Sequence, residues 1–377
     1  MKVLVVSPDF PFPADHGGRV DVLSRIEALV SLGVSVDLLA TVSADVHPSH
    51  LQLARAKLGR VRLVRRRASL FFWITGMPYQ AASRSGLAKE YLADDYDLVI
   101  LESEAVAPVL KGLSARDKVA LRVHNNESAY FHALARSEKR FAKKAYYFLE
   151  SLLFRHWSRR VKNRCDYVLH ISHREFSREG VGEPSSRVRF LPPHVDAAAM
   201  QAPRPKTRGS VLCVGNLFMP NNLQGLLWYL ENVHELLRAR VPFYKLVVAG
   251  NTRGAGAGFL DRYQSVEFHD SPTCLASLYA DASVFINPIL EGAGVKMRSI
   301  NAMQQGVPLV STSVGVEGTG LAPGVHYLGG DTPEEFASAV ERLLSEAGLQ
   351  ESIASEAQRY LAEVFDSRAL LSELLAS

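Results

Sequence analysis

The chain reads as an α/β protein built from two doubly wound domains. Three observations predict this. Short apolar runs alternate with helix-period patterns along the chain. The alternation breaks at Pro192-Pro193, and a second series starts near Val195. The length of 377 residues suits two domains of ordinary size. The expected division is 1–193, then 194–350, then a C-terminal segment, 351–377. Doubly wound sheets take ligands beyond the carboxyl ends of their strands. Two such domains facing one another would leave an interdomain cleft for the site.

In the first series Val3–Val6 is a strand, and a long loop leads to Gly18. Arg19 to Leu32 is a helix, with Val22, Ile26, Leu29 and Val30 on one face and Gly33 at its end. Val36–Leu39, Asp97–Leu101, Val119–Val123, Tyr167–Ile171 and Val188–Leu191 are strands. Tyr130 to Arg164 is one long or broken basic helix. In the second series the strands are Val211–Val214, Leu246–Ala249, Val266–Phe268, Val284–Asn287 and Leu309–Ser311. Asn221–Leu237 is a helix rich in Leu and Trp. Pro333–Ala347 and Glu351–Ala376 are the last helices.

The stretch from Pro288 to Gly318 carries the most chemistry. Glu291 precedes a Gly292-Ala293-Gly294 turn, and Lys296 and Arg298 open a short helix. Glycines let a backbone approach a ligand and present free N–H groups. A helix start attracts anions, and two cations add full charges there. The combination suits a sugar nucleotide, with diphosphate at the helix start and sugar at the turn.

Three further segments fit the same ligand. Gly17-Gly18 precede a helix and follow the first strand, a place for an anion or simply a tight turn. They form no G-x-G-x-x-G fingerprint. Arg122 to Tyr130, RVHNNESAY, puts His124, Asn125 and Glu127 at a strand's carboxyl end. Glu127 either orients a reacting hydroxyl or starts the following helix. Val214 to Leu230 runs strand, Gly215, Asn216, loop and helix, with Asn221 and Asn222 suited to cap the helix.

Together these motifs resemble the family 4 glycosyltransferases of bacterial polysaccharide assembly, which share the GT-B fold of two facing Rossmann-like domains. That branch reads Gly-x-Gly-x-Arg-x-Lys-x-x-Glu-Ala where this chain has Gly292, Gly294, Lys296, Arg298, Asn301 and Ala302. The two cations are exchanged, and Asn301 replaces the Glu that binds the nucleotide ribose. His124-Asn125-Asn126-Glu127 is similar to the family's His-Asn-Val-Glu.

The resemblance implies a retaining, metal-independent sugar transfer from a nucleotide sugar (a UDP- or GDP-sugar) to a glycan or lipid-linked acceptor. It implies donor contacts from Gly17, Gly18, Gly215, Asn216, Phe268, Gly292, Ala293, Gly294, Lys296, Arg298, Ser299, Ile300 and Asn301. Arg19 and Asn125 would contact the acceptor, and His124, Glu127 and Glu291 would act at the reacting centre. The first domain would serve the acceptor and the second the donor, with the C-terminus crossing back to the first. A GT-B sugar-nucleotide epimerase and a non-catalytic sugar-nucleotide-binding subunit are the rivals. The resemblance to the GT-B class implies no metal, and no cofactor is expected.

Composition narrows the setting. The three cysteines, Cys165, Cys213 and Cys274, have no zinc spacing and imply no disulfide framework. No apolar run approaches a membrane span, so a cytoplasmic protein is expected. Basic residues crowd 55–67 and 139–164, and the first run abuts Leu70–Ile74. These are solvated faces or contacts with the inner, anionic face of the membrane. No nucleic-acid motif is present. His16, His170 and His173 are weaker candidates; His170, inside an apolar strand, reads as a core residue.

Overall fold

The computed structural model describes residues 1–14, 17–67, 71–90, 96–114, 117–138, 140–179, 187–204, 209–292 and 294–376. The chain forms two units, Met1–His194 with Ser367–Ser377, and Val195–Asp366.

The first unit holds seven parallel strands: β1 (Lys2–Ser7), β2 (Ser35–Val42), β3 (Val61–Arg65), β4 (Leu98–Leu101), β5 (Val119–Val123), β6 (Tyr167–His170) and β7 (Val188–Phe190). Their order is β3-β2-β1-β4-β5-β6-β7. Successive side chains on a strand face opposite ways. Val3 and Val5 therefore join one core with Val22, Ile26 and Leu29, while Leu4 and Val6 join the other with Val161. The helices are α1 (Gly17–Ser31), α2 (Pro48–Lys57), α3 (Tyr79–Ala82), α4 (Glu127–Ser137), α5 (Phe141–Lys162) and α6 (His173–Glu179).

The second unit has six parallel strands: β8 (Ser210–Val214), β9 (Lys245–Gly250), β10 (Val266–Asp270), β11 (Val284–Asn287), β12 (Leu309–Ser311) and β13 (Leu328–Gly329). They run in the order β10-β9-β8-β11-β12-β13. Helices α7 (Pro220–Asn232), α8 (His234–Arg240), α9 (Ala276–Asp281), α10 (Met297–Gln304), α11 (Pro333–Ser345) and α12 (Ala347–Val364) complete it. Val211 and Val248 face the core of α7, α8 and α11, and Leu212 and Phe285 face that of α10 and α12.

Each order reverses once, between β1 and β4 and between β8 and β11. At such a switch point the loops part in opposite directions and leave a crevice. The loops after β1, β5, β8 and β11 carry the motifs singled out in the sequence.

Several elements differ from the sequence reading. The basic run over 60–67 contains β3, where Val61 and Leu63 pack on the core between arginines. The Tyr130–Arg164 pattern takes the broken of its two expected forms, helices α4 and α5, locked by reciprocal bonds from Ser128 Oγ to Ser151 O and Ser151 Oγ to Ser128 O, both 2.9 Å. Asn221–Leu237 divides into α7 and α8.

The returning segment is shorter than 351–377. Helix α12 stays in the second unit, and Phe365 is buried there, accepting a bond from Val195 N. Only α13 (Arg368–Ala376) joins the first unit, burying Leu371 and Leu374 in its core. Ser367 N donates to His194 Nδ1 at 3.2 Å at that junction.

Candidate functional site

In the first unit, a pocket of about 200 Å³ lies at the β1/β4 switch point. Ser7, Pro8, Asp9, Gly18, Arg19, Val22, Glu102, Ser103, His124 and Glu127 line it. Gly17 and Gly18 are the first residues of α1, and Gly18 reaches the pocket wall. Arg19 binds Asp9 through Nε and Nη2, both at 2.9 Å. The structure brings together His124, Glu127, Arg19 and Gly18. Asn125 is half-buried beside them on the loop after β5.

Beneath the pocket lies a charge network that sequence reasoning missed. Arg25 and Arg122 are fully buried. Arg25 donates from Nε to Glu102 Oε1 at 2.7 Å and from Nη2 to Asp21 Oδ2 at 3.1 Å. Arg122 donates from Nη2 to Asp21 Oδ2 at 3.1 Å. Unpaired buried charges are expensive, so two acids and two guanidiniums balance one another. The signals were there: charges within or beside apolar strands at Glu102 and Arg122, and Asp21 and Arg25 spaced i,i+4 on the apolar face of α1.

His124 sits on top of this network. Its Nδ1 lies 3.8 Å from Asp21 Oδ2 and its Nε2 3.6 Å from Glu102 Oε2. These are ionic distances, longer than hydrogen bonds. Burial alone would push the imidazole's pKa down; the two carboxylates outweigh burial and the pKa is raised. Asp21, Glu102 and His124 offer ligand atoms within 4.8 Å of one another, an arrangement no sequence spacing showed. A metal ion there would face the two guanidiniums that already hold both carboxylates.

Glu127 opens α4. Asn126, not Asn125 or Glu127, supplies the cap, its side chain accepting from Ala129 N at 3.0 Å. Burial, then the charges of Glu104, Glu175 and Glu150, push the Glu127 carboxyl up to about 7. It exchanges a proton near neutral pH, as a general base or acid must.

In the second unit the loops after β8 and β11 meet. Arg298, at the start of α10, donates from Nη2 to Asn222 Oδ1 at 2.5 Å. Asn222 Nδ2 donates to Asn216 O at 2.9 Å. A Cβ on Gly215 would lie 2.8 Å from Arg298 Nη1, so a side chain there would push the guanidinium from its place. Gly292 has φ +130°, and a Cβ there would approach Asn221 Nδ2 to 2.9 Å. Lys296 Nζ donates to Gly294 O at 2.7 Å and Gly292 O at 3.1 Å, folding the turn around the ammonium. Burial and then the Arg298 charge lower its pKa to about 8. Burial also lowers that of Arg298. A desolvated cation pair at a helix start and switch point has the charge and placement that an anion would require.

Asn221 and Asn222 are not caps. Met219 occupies the cap position of α7 and Pro220 starts the helix. Glu291 is exposed on the loop, and Asn301 is half-buried on α10. Ser299 and Ile300 turn away: Ser299 Oγ donates to Gly315 O at 2.9 Å, and Ile300 is core. Phe268, in β10, packs its side chain on the core, which leaves its backbone groups for any contact there. Ala293 and His16 lie outside the described residues. His170 is buried against Glu179, with Nε2 3.0 Å from Oε2. His173 is exposed on α6.

Two parallel-sheet α/β units, each with a crevice at its switch point, give the chain the fold of the GT-B glycosyltransferases. Residues 208–346 match the family model described as "Glycosyl transferases group 1". The chain is 36% identical over 389 residues to a Klebsiella pneumoniae protein described as an uncharacterized 44.6 kDa protein in the cps region, covering 99% of this chain and 98% of that one. A variant of S. aureus TarM, solved with fondaparinux, α-GlcNAc-glycerol and UDP, has the same fold with a TM-score of 0.71, at 9% identity over the whole of both chains. Anabaena HepE, solved with UDP and glucose, has a TM-score of 0.63 at 15% identity, covering 100% of this chain and 99% of that one. The chain belongs to the group 1 glycosyl transferases.

Proposed function

We propose that this glycosyltransferase moves a sugar from a nucleotide sugar, a UDP- or GDP-sugar, to a hydroxyl of a glycan or lipid-linked acceptor in polysaccharide assembly. The observation that carries this reading is the Lys296–Arg298 pair, desolvated at the start of α10, with Arg298 packed on Gly215 and Lys296 wrapped by the Gly292–Gly294 turn. In this reading the sugar–phosphate bond breaks and the two cations stabilise the departing diphosphate, work of the oxyanion-hole kind. The acceptor hydroxyl attacks from the face the phosphate leaves, and its proton passes to a phosphate oxygen, so the anomeric configuration is retained. Glu291 accepts bonds from the donor sugar and Asn301 from the ribose. His124 and Glu127, with Arg19 and Asn125, orient the acceptor in the first-unit pocket. The reaction needs no metal, a reading supported by Arg25 and Arg122, which hold the carboxylates beneath that pocket.

The cps-region relative supports polysaccharide assembly. No helix among the described residues is long and apolar enough to cross a membrane. Peripheral attachment to the inner face of the cell membrane is supported by exposed Phe71, Trp73 and Ile74 next to the basic helix α5.

Thermal-shift screening against nucleoside diphosphates tests the donor assignment, because a ligand that binds the folded state raises its apparent stability. UDP or GDP should raise Tm, and the matching nucleotide sugar should turn over in EDTA with retained configuration. No shift with any nucleoside diphosphate, or turnover abolished by EDTA, would overturn the reading.

A further inference from the structure

Two arginines next to the first-unit pocket are not used by the proposed mechanism. Both gather on the Pro8 carbonyl, where the chain leaves β1. Arg84 donates from Nη2 to Pro8 O at 3.1 Å and from Nε to Thr41 Oγ1 at 3.1 Å. Its Nη1 binds Gln80 O at 2.6 Å and Gln80 Oε1 at 2.9 Å. Every acceptor is neutral. Arg84 is only 4% exposed, and among the described residues no carboxylate pairs with it. Arg66, following β3, donates from Nη2 to the same Pro8 carbonyl. Its nearest carboxylate oxygen, on Asp9, is 4.0 Å away, and Arg19 holds that carboxylate at 2.9 Å.

A buried guanidinium with no carboxylate in contact is costly, a second cation beside it adds repulsion, and the charge of Asp9 offsets this only in part. Burial, then the charge of Arg66, lowers the Arg84 pKa to about 10. Both side chains lie at the carboxyl edge of β1, β2 and β3, where doubly wound sheets take ligands. Arg66 is 29% exposed, and its Nη1 has no hydrogen-bond partner among the described residues. We propose that Arg66 and Arg84 form an oxyanion subsite beside the pocket, binding a phosphate or carboxylate carried by the acceptor. Arg66 makes the direct contact through Nη1, and Arg84 stands behind it as a fixed charge. The proposal rests on the acceptor-side reading of the first unit.

Calorimetric titration of the full chain with inorganic pyrophosphate tests it. The parent should bind pyrophosphate at this subsite. Arg66→Gln should weaken that binding at least tenfold, and Arg66→Lys, which keeps the charge, should recover part of it. The subsite should persist in the double variant Lys296→Ala/Arg298→Ala, which removes the donor-side cations. Equal loss in Arg66→Lys and Arg66→Gln would make the residue structural and overturn the subsite, as would a parent-like titration of Arg66→Gln. Failure of the donor reading looks different: pyrophosphate binding unchanged by the double variant. Competition identifies the source. Displacement by glucuronate assigns a glycan carboxylate, displacement by a short prenyl diphosphate assigns a lipid diphosphate, and displacement by neither overturns the proposal.

Discussion

Arg298 and Asn222 are held together at 2.5 Å, guanidinium nitrogen to amide oxygen, although 75 residues separate them in the chain. Asn222 fixes the Asn216 loop with its other end. The amide therefore aims the guanidinium without neutralising it, leaving the full charge for a ligand. Arg298→Ala should weaken nucleoside-diphosphate binding by roughly 1.5–3 kcal/mol, the range for charge-assisted hydrogen bonds. Asn222→Ala should weaken it less, because the charge remains and only its aim is lost. Calorimetry that ranks Asn222→Ala as the more damaging change would contradict this division of labour.

The Lys296 pKa of about 8 makes donor binding pH-dependent. A lysine loses its charge as pH rises through its pKa, so the ammonium that would meet the diphosphate is largely present at pH 7 and largely absent at pH 9. Nucleoside-diphosphate affinity should fall across that window. Lys296→Arg should flatten the dependence, since a guanidinium stays charged well above it. Affinity measured at pH 7, 8 and 9 checks both; a flat parent profile would remove Lys296 from the diphosphate.

Much of this was legible in the sequence because it is local. The strand–turn–helix at Pro288–Gly318 announces itself through Gly292, Gly294, Lys296 and Arg298, and short apolar runs mark most strands. What stayed hidden depends on contacts between distant segments. Asp21, Glu102 and Arg122 meet only when α1, β4 and β5 are adjacent, and no spacing encodes that. Strand β3 was masked by its arginines, whose charge outweighed the Val61–Leu63 alternation. Ser299 and Ile300 turn their side chains to the core of α10, a matter of helix phase that the packing against β11 and β12 decides, so only their backbone remains for a ligand.

Glu150 gives a stability prediction. It is fully buried, its Oε1 accepts from Tyr79 N at 2.7 Å, and burial pushes its carboxyl up to about 7. Glu127 is raised to the same value. Both pKa values exceed those of an unfolded chain. Between about pH 4.5 and 7 the folded state therefore binds more protons, and stability falls as pH rises through that window. Tm should decline from pH 5.5 to 7.5. Glu150→Gln should raise Tm at pH 7.5 by about 2–4 °C and make the profile flatter. An unchanged slope would mean that these carboxyls titrate normally.

The exposed aromatic edge should bind lipid. Phe71, Trp73 and Ile74 are 63%, 46% and 76% exposed, around a buried Phe72 whose ring lies 6.1 Å from Tyr146 of α5. Helix α5 carries Lys143, Lys144, Arg155, Arg159 and Arg160. Each cation near an anionic surface contributes about 1 kcal/mol. The protein should sediment with anionic vesicles, less so as salt is added, and Trp73→Ser with Ile74→Ser should reduce the bound fraction. Equal partitioning onto neutral and anionic vesicles would rule the surface out.

His124 and Glu127 should govern transfer and leave the nucleotide alone. His124 stands over Asp21 and Glu102 at 3.8 and 3.6 Å, which favours its charged form above the usual imidazole range. Glu127, near 7, can take or give a proton at working pH. Both line the first-unit pocket, whereas Lys296 and Arg298 belong to the second unit. His124→Ala and Glu127→Ala should each cut the transfer rate about a hundredfold, the scale of a positioned acid–base or orienting group. Nucleoside-diphosphate affinity should stay within about twofold of the parent, since one small contact at most would change. If Glu127 works as a carboxylate, the parent rate should rise through pH 7 and Glu127→Gln should lose that rise. Should both alanine variants instead bind nucleotide poorly and turn over normally at saturating donor, the pocket belongs to donor binding and the acceptor assignment fails.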